Sequence, residues 1–248
     1  MTTNGLALTG ERTVPGVWHE NYWFRRHEAA YEFLLPYATV RSVLEVGCGE
    51  GYGTARFAEV AGRVIGLDYD PAAVAHAAAR YATPSFLRAN LAALPVRDAA
   101  LDVVATLQVI EHVWDHAQFV RECLRVLRPG GTLLVTTPNR LTFSPGRETP
   151  INPYHTHEFT AAELSELLTR CGFTDLDVRG LHADARLRDL DAAYGGSFAH
   201  AQLAAPPEQW SDELAQQVVG VATDAFVTTT ADPDAALDLV VVARRPGV

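Results

Sequence analysis

The sequence predicts an α/β protein built on an open, mostly parallel sheet with helices packed on its faces. Three observations predict it. The apolar run Ser42–Val46 leads straight into the glycine-rich turn Gly47-Cys48-Gly49-Glu50-Gly51-Tyr52-Gly53, and a helical stretch over 54–61 follows. Glycine has no Cβ and tolerates φ > 0, so such a turn lets a ligand approach the backbone closely. A second apolar run, Arg63–Asp68, ends in a carboxylate roughly 20 residues after the turn, the spacing at which nucleoside-binding sheets hold ribose hydroxyls. Further apolar runs then alternate with helical patterns, which is the signature of βαβ units.

The elements follow in order. Residues 1–20 read as irregular, punctuated by Gly5, Gly10, Pro15 and Gly16. The stretch from Glu20 to His27 packs aromatics and cations together and opens a helix expected to end before Pro36. Strands one and two are Ser42–Val46 and Arg63–Asp68. Pro71 suits the first turn of an alanine-rich helix running to about Tyr81. Ser85–Arg88 is strand three, Asn90-Leu91 follow it, and Leu101–Leu107 is strand four. A helix over 116–127 repeats apolar residues on one face at Phe119, Val120, Cys123, Leu124 and Leu127, and Arg128-Pro129-Gly130-Gly131 stops it. Strand five is 132–137. Residues 138–159 are rich in proline and glycine and too long for an ordinary connection, which points to a functional loop. Thr160 with Glu163 has capping-box spacing for a helix bearing Leu164, Leu167, Leu168 and Cys171. Strand six is 173–179, strand seven 237–243, and residues 180–236 form a mostly helical insertion expected to cap the sheet's C-terminal edge.

Composition bounds the function. The chain has 248 residues, enough for one large domain with an added cap, and 48% apolar with 20% charged residues is ordinary for a globular protein. A net charge of −10 with no basic cluster argues against nucleic acid as a partner. No apolar run approaches the roughly 20 residues of a membrane span. No basic segment followed by an apolar core is visible in 1–10, and three scattered cysteines suggest neither a disulfide framework nor a metal motif, so a cytoplasmic location is expected.

The ligand type turns on detail. The dinucleotide fingerprint Gly-x-Gly-x-x-Gly would place its third glycine at Tyr52, so the match fails. Glu45, just before the turn, disfavours a pyrophosphate and suits a ligand with a cationic amino group. A nicotinamide-dependent oxidoreductase is therefore the weaker reading.

Glu45-x-Gly47-x-Gly49 with Asp68 resembles the first motif and the ribose-binding acid of the class I S-adenosylmethionine-dependent methyltransferases. The resemblance implies a Rossmann-like seven-stranded sheet of order 3-2-1-4-5-7-6, with strand seven antiparallel. It implies an N-terminal lid over 1–36 and a methyltransferase domain over 37–248 that includes the cap insertion 180–236. The implied cofactor is S-adenosylmethionine, bound by Tyr22, Arg26, Glu45, Gly47, Cys48, Gly49, Tyr52, Gly53, Asp68, Tyr69, Asn90, Leu91 and Gln108. In the lid, Tyr22, Arg26 or His27 would reach its carboxylate; covering the sheet edge is the plainer role for this helix. Asn90 stands where the family usually carries an aspartate for the adenine amino group, and its amide oxygen can still accept.

Thr9 to Thr13, Glu20 to His27, Thr137 to Pro145, Thr149 to His155, Arg186 to Asp191 and Gly195 to Ser197 further resemble an actinobacterial sugar O-methyltransferase group linked to methylglucose lipopolysaccharide assembly. That implies a saccharide or other small-molecule acceptor, with the 6-position of glucose units as the implied atom. A quinone or natural-product hydroxyl, and a non-catalytic cofactor-binding partner protein, are the alternatives. The proline-containing motif of nucleic-acid amino methyltransferases is missing at 108–111. An alcohol nucleophile must lose a proton, and histidine is the natural base near neutral pH. His112, after strand four, and His155 and His157, late in the long loop, are the candidates. If His155-x-His157 is extended, both face one way. A divalent metal held by histidines with Glu111, Glu158 or Asp115 is not favoured, because the spacing matches no compact metal motif. Alternating charges over 181–191 fit a solvated helix face or, alternatively, a substrate cap.

Overall fold

The computed structural model describes residues 2–3, 6–7 and 12–247. Thr9, Gly10 and Glu11, which carry part of the resemblance, lie outside the described residues. Eight strands form one sheet: β1 (Ser42–Val46), β2 (Arg63–Asp68), β3 (Ser85–Arg88), β4 (Leu101–Leu107), β5 (Leu127–Pro138), β6 (Thr174–Ala183), β7 (Phe226–Thr229) and β8 (Asp238–Arg244). Their spatial order is β3-β2-β1-β4-β5-β8-β6-β7. The pairs from β3 to β5 are parallel, and β8 runs antiparallel to both β5 and β6.

The expectation of seven strands is corrected to eight. The extra strand, β7, comes from the insertion and pairs antiparallel with β6, from Gly180↔Thr229 to Ala183↔Phe226. It can do so because β6 continues to Ala183, past its expected end at Arg179. With β7 set aside, the remaining strands stand in the expected order. Strand β5 also begins earlier than expected. It absorbs Arg128 to Gly131 as a bulge, since Leu101 pairs with Leu127 but Val103 with Thr132.

Side chains alternate across the strands, so each face of the sheet builds its own core. Val43, Val103 and Leu134 face α1 (Asn21–Ala38), α2 (Tyr52–Ala58) and the insertion. Leu44, Val104, Leu133 and Val135 face α4 (His116–Val126) and α6 (Ala161–Arg170). The capping box of α6 forms as its spacing predicts: Thr160 accepts from the N–H of Glu163, and Glu163 accepts from that of Thr160. Helix α3 (Pro71–Arg80) is capped by Asp70. Helix α1 runs through Pro36 to Ala38 rather than stopping before it; Leu34 and Ala38 are fully buried, and their packing outweighs the proline.

The insertion carries α7 (Ala185–Ala193), α8 (Phe198–Leu203) and α9 (Asp212–Gly220), with a 3-10 turn at Pro207–Gln209 between the last two. Most of it packs on α1, with Tyr22 edge-on to Phe198 and Phe226 and Asn21 donating to the carbonyls of Val218, Val219 and Val221. Leu203 alone of the insertion reaches the pocket at the strand ends. The charges of α7 face solvent or cap helices: Arg186 pairs with Asp184 and Asp224, and Asp191 accepts from the N–H of Phe198. Among the described residues no helix is long and apolar enough to cross a membrane.

Candidate active site

The glycine turn links the end of β1 to the start of α2. Gly47, Gly49 and Gly51 have φ of 79°, 51° and 98°, values that ordinary side chains resist. The N–H groups of Gly47 and Cys48 both donate to the carbonyl of Leu67, and that of Gly51 donates to Cys48. Gly49 N–H donates to Asp68 Oδ2 at 2.8 Å, and Tyr52 N–H to Glu50. Amides engaged in this way do not form a phosphate cradle, which disfavours a pyrophosphate ligand on geometry as well as on spacing. Beside Gly49 the first atom a Cβ would meet is Cβ of Arg12, at 3.8 Å, so bare backbone faces the space under the N-terminal segment. That segment is tied down across the turn. Arg12 pairs with Asp70 at 2.8 Å, Leu6, Val14 and Val17 pack with Ala73, and Thr13 lies 3.4 Å from both Tyr52 Oη and His27 Nδ1.

This end fits a nucleoside. Asp68 is half-buried, with Oδ1 taking the N–H of Asp70, and its remaining lone pairs suit ribose hydroxyls. Tyr69 is 65% exposed beside it, with the Arg88 guanidinium over its ring. Asn90 is exposed and its amide oxygen takes the N–H of Ala92, a turn contact that leaves the oxygen one further lone pair; Leu91 is half-buried next to it.

Four expected cofactor contacts are corrected. Glu45 shares the face of Val43, so its carboxylate points at α1 and α2, where it accepts from Tyr31 Oη at 2.6 Å and from Thr54 Oγ1. It is 1% exposed, and burial pushes its pKa up to about 7; it braces the turn from behind instead of facing a ligand. Gly53 is a packing glycine, since a Cβ there would stand 2.1 Å from Tyr31 Oη. Tyr22 is 1% exposed and enclosed by Trp23, Phe198 and Phe226, as the core between α1 and the insertion requires. Cys48 is buried, and burial raises its thiol pKa, so only its backbone belongs to the turn. Arg26 lines the neighbouring pocket, but Nε and Nη2 each contact Asp238 at 2.6 Å and Nη2 also donates to the Leu237 carbonyl. Tyr52 is turned toward Thr13 and His27.

A cavity of about 440 Å³ opens at the C-terminal ends of β4 and β5. Gln108 follows β4 at φ 58°, a rare value for a side-chain-bearing residue, held by bonds from its N–H to Thr136 O and from Nε2 to Thr136 Oγ1. Glu111 lies 1% exposed at the floor and accepts from Thr137 Oγ1; burial pushes its pKa up to about 8. His112 sets Nδ1 3.1 Å from the Tyr154 carbonyl, and its ring meets that of His155 edge-on at 4.8 Å. His155 Nδ1 lies 2.8 Å from Glu158 Oε1, and its Nε2 lies 3.0 Å from Asn152 Nδ2. Trp23, Phe143, Tyr154 and Leu203 wall the opening.

The structure does not bring His157 to this cavity. The chain bends at Thr156, whose N–H and hydroxyl are both drawn to the Glu111 carbonyl, so His155 and His157 do not share a face. His157 packs on Phe159 and His116, 3.7 Å from Glu163. Sequence reasoning missed Phe143 and Leu203. The first sits on α5 (Arg140–Phe143), capped by Asn139, and an Asn after a strand was the available signal.

A family model described as a methyltransferase domain matches residues 44–135. A probable S-adenosylmethionine-dependent methyltransferase of Mycolicibacterium smegmatis is 56% identical over 248 residues, covering 98% of this chain and 96% of that protein. One from Mycobacterium tuberculosis (strain H37Rv) with the same description is 54% identical, covering 97% and 90%. Among solved structures, an S-adenosylmethionine-dependent methyltransferase of Thermotoga maritima, described as a possible histamine N-methyltransferase, superposes with a TM-score of 0.59 at 19% identity over 90% of this chain and 93% of its own.

Proposed function

The chain belongs to the S-adenosylmethionine-dependent methyltransferases, and from that premise we propose that it methylates a hydroxyl of a saccharide, in the specific case the 6-position of glucose units in an α-glucan. The observation that carries this reading is the meeting of proton-accepting groups with aromatic faces in one cavity. Glu111, His112 and His155 lie together, with Trp23, Phe143 and Tyr154 around them. Aromatic faces beside amide and guanidinium groups suit the apolar ring faces and hydroxyls of a sugar. The segments that resemble the sugar O-methyltransferase group also supply much of this wall: Arg12 and Thr13, Trp23, Arg26 and His27, Pro138 and Phe143, and Ile151 to His155.

The cofactor supplies an electrophilic methyl group and its own leaving group. The chain's residues position, exclude water and manage one proton. The glycine turn and Asp68 hold the nucleoside end. Gln108 lines the cavity just after β4. Hydrogen bonding of His112 Nδ1–H to the Tyr154 carbonyl places the ring's lone pair on Nε2, the tautomer that can take a hydroxyl proton. Trp23, Phe143 and Leu203 keep bulk water from the reacting atoms.

Incubation with methyl-labelled S-adenosylmethionine and a panel of short α-glucans tests the reading; label in the glucan is expected, and none across the panel removes the saccharide. The apolar residues Ile151, Pro153 and Leu203 in the wall favour a second reading, a quinone or natural-product hydroxyl. Transfer to a phenolic acceptor in the same assay would identify it.

A further inference from the structure

We propose that the floor of the cavity is a binding site for one divalent transition-metal ion, held by a Glu111 carboxylate oxygen and a ring nitrogen from each of His112 and His155. The three residues come from two segments far apart in sequence, yet one donor atom from each lies within 4.8 Å of the others. Donors about 2.1 Å from a common ion stand closer than this, and side-chain rotation supplies the closure.

Three features support a site. The Nδ1 of each imidazole is held from behind, His112 by the Tyr154 carbonyl and His155 by the Glu158 carboxylate. That outer arrangement fixes the tautomer and aims Nε2 at a metal. Two carboxyl groups are also buried here. Glu111 and Glu158 are each 1% exposed, and among the described residues neither forms an ion pair with lysine or arginine. The guanidinium in the same wall, Arg26, is paired with Asp238. Glu158 Oε2 is buried with no hydrogen-bond partner. A bound cation would offset carboxylates that burial otherwise penalises. The cavity, at about 440 Å³, also leaves room for further ligands on the ion.

The donor set selects the ion. Two imidazoles with one carboxylate suit zinc, cobalt, manganese or iron(II), whereas magnesium and calcium prefer oxygen donors. One contact opposes binding: Asn152 Nδ2 lies 3.0 Å from His155 Nε2 and must turn away. The site goes beyond the proposed function and holds whatever the acceptor is. An ion here and the His112 lone pair are two ways to meet the proton requirement of a hydroxyl, because a hydroxyl next to such an ion is acidified.

The test uses the full chain, stripped with chelator and titrated with Co²⁺, with no acceptor present. One equivalent is expected to bind and to give visible absorption bands that Mg²⁺ does not displace. His112→Ala, His155→Ala and Glu111→Gln should each weaken binding roughly 100-fold or more, and Glu158→Gln by about 10–100-fold, the range for a partner behind a ligand. Asn152→Ala should not weaken it. His157→Ala should leave the bands in place. S-adenosylhomocysteine binding by each variant verifies its fold. No stoichiometric binding, or binding untouched by His112→Ala and His155→Ala, overturns the site. Failure to methylate any saccharide does not bear on it.

Discussion

Gly49 donates its backbone N–H to Asp68 Oδ2 at 2.8 Å, so the turn after β1 and the acid ending β2 form one unit. Asp70 N–H takes the other oxygen at 2.9 Å, which ties the start of α3 to the same carboxylate. Asp68 therefore shapes the turn as well as offering lone pairs to a ribose.

Asp68→Ala should weaken S-adenosylhomocysteine binding by about 1–3 kcal/mol, the range for losing charged hydrogen bonds. Asp68→Asn should fall between, since its amide keeps one acceptor oxygen. Titration calorimetry reads this directly. An unchanged dissociation constant for Asp68→Ala would remove it from the site.

The histidines should divide. His112→Ala should lower kcat by about 10²–10⁴, the usual worth of a general base, with cofactor affinity nearly kept. His155→Ala should also slow turnover, through loss of the ring packed against His112. His157→Ala should turn over within a few-fold of the unaltered protein, because that ring lies outside the cavity beside Glu163. Equal losses for His112→Ala and His157→Ala would contradict the arrangement.

Much of the fold was legible because periodicity and turn chemistry are local. Thr160 and Glu163 could be paired from spacing, and the alternation in β1 follows from its sequence. The direction of Glu45 was open to the same reasoning: it shares a face with Val43, and Val43 faces α1 and α2. The functional reading of a carboxylate beside a ligand turn obscured that. Strand β7 was not legible, since Phe226–Thr229 is short and pairs only because β6 runs on to Ala183. The convergence of Glu111 and His112 with His155 depends on the bend at Thr156, and its bonds to the Glu111 and Val113 carbonyls are long-range contacts without a local signature.

Glu45 should impose a pH dependence on stability. Its folded pKa is raised, to about 7 from an ordinary value of 4.5, chiefly by burial. The folded state then holds a proton that the unfolded state releases. Its contribution is fully present below about pH 4.5 and is lost as pH rises through about 7. Glu45→Gln cannot ionise. It should therefore gain about 1–3 kcal/mol relative to the unaltered chain between pH 5 and pH 8.5, measured by urea unfolding at both. A difference that does not change with pH would mean that Glu45 titrates normally.

Helix α1 is joined to the sheet by a buried ion pair, and its loss should cost more than any surface change. Arg26 on α1 and Asp238 at the start of β8 are 2% and 1% exposed and share two contacts of 2.6 Å. Breaking such a pair strands one charge away from water. Arg26→Met or Asp238→Leu alone should each destabilise by about 3–5 kcal/mol. The double variant removes both charges and leaves no stranded ion. It should lose less than the sum of the single variants, with a coupling energy of at least about 1 kcal/mol in a double-mutant cycle. Additive losses would show that the pair is solvated and that α1 is held by its apolar face alone.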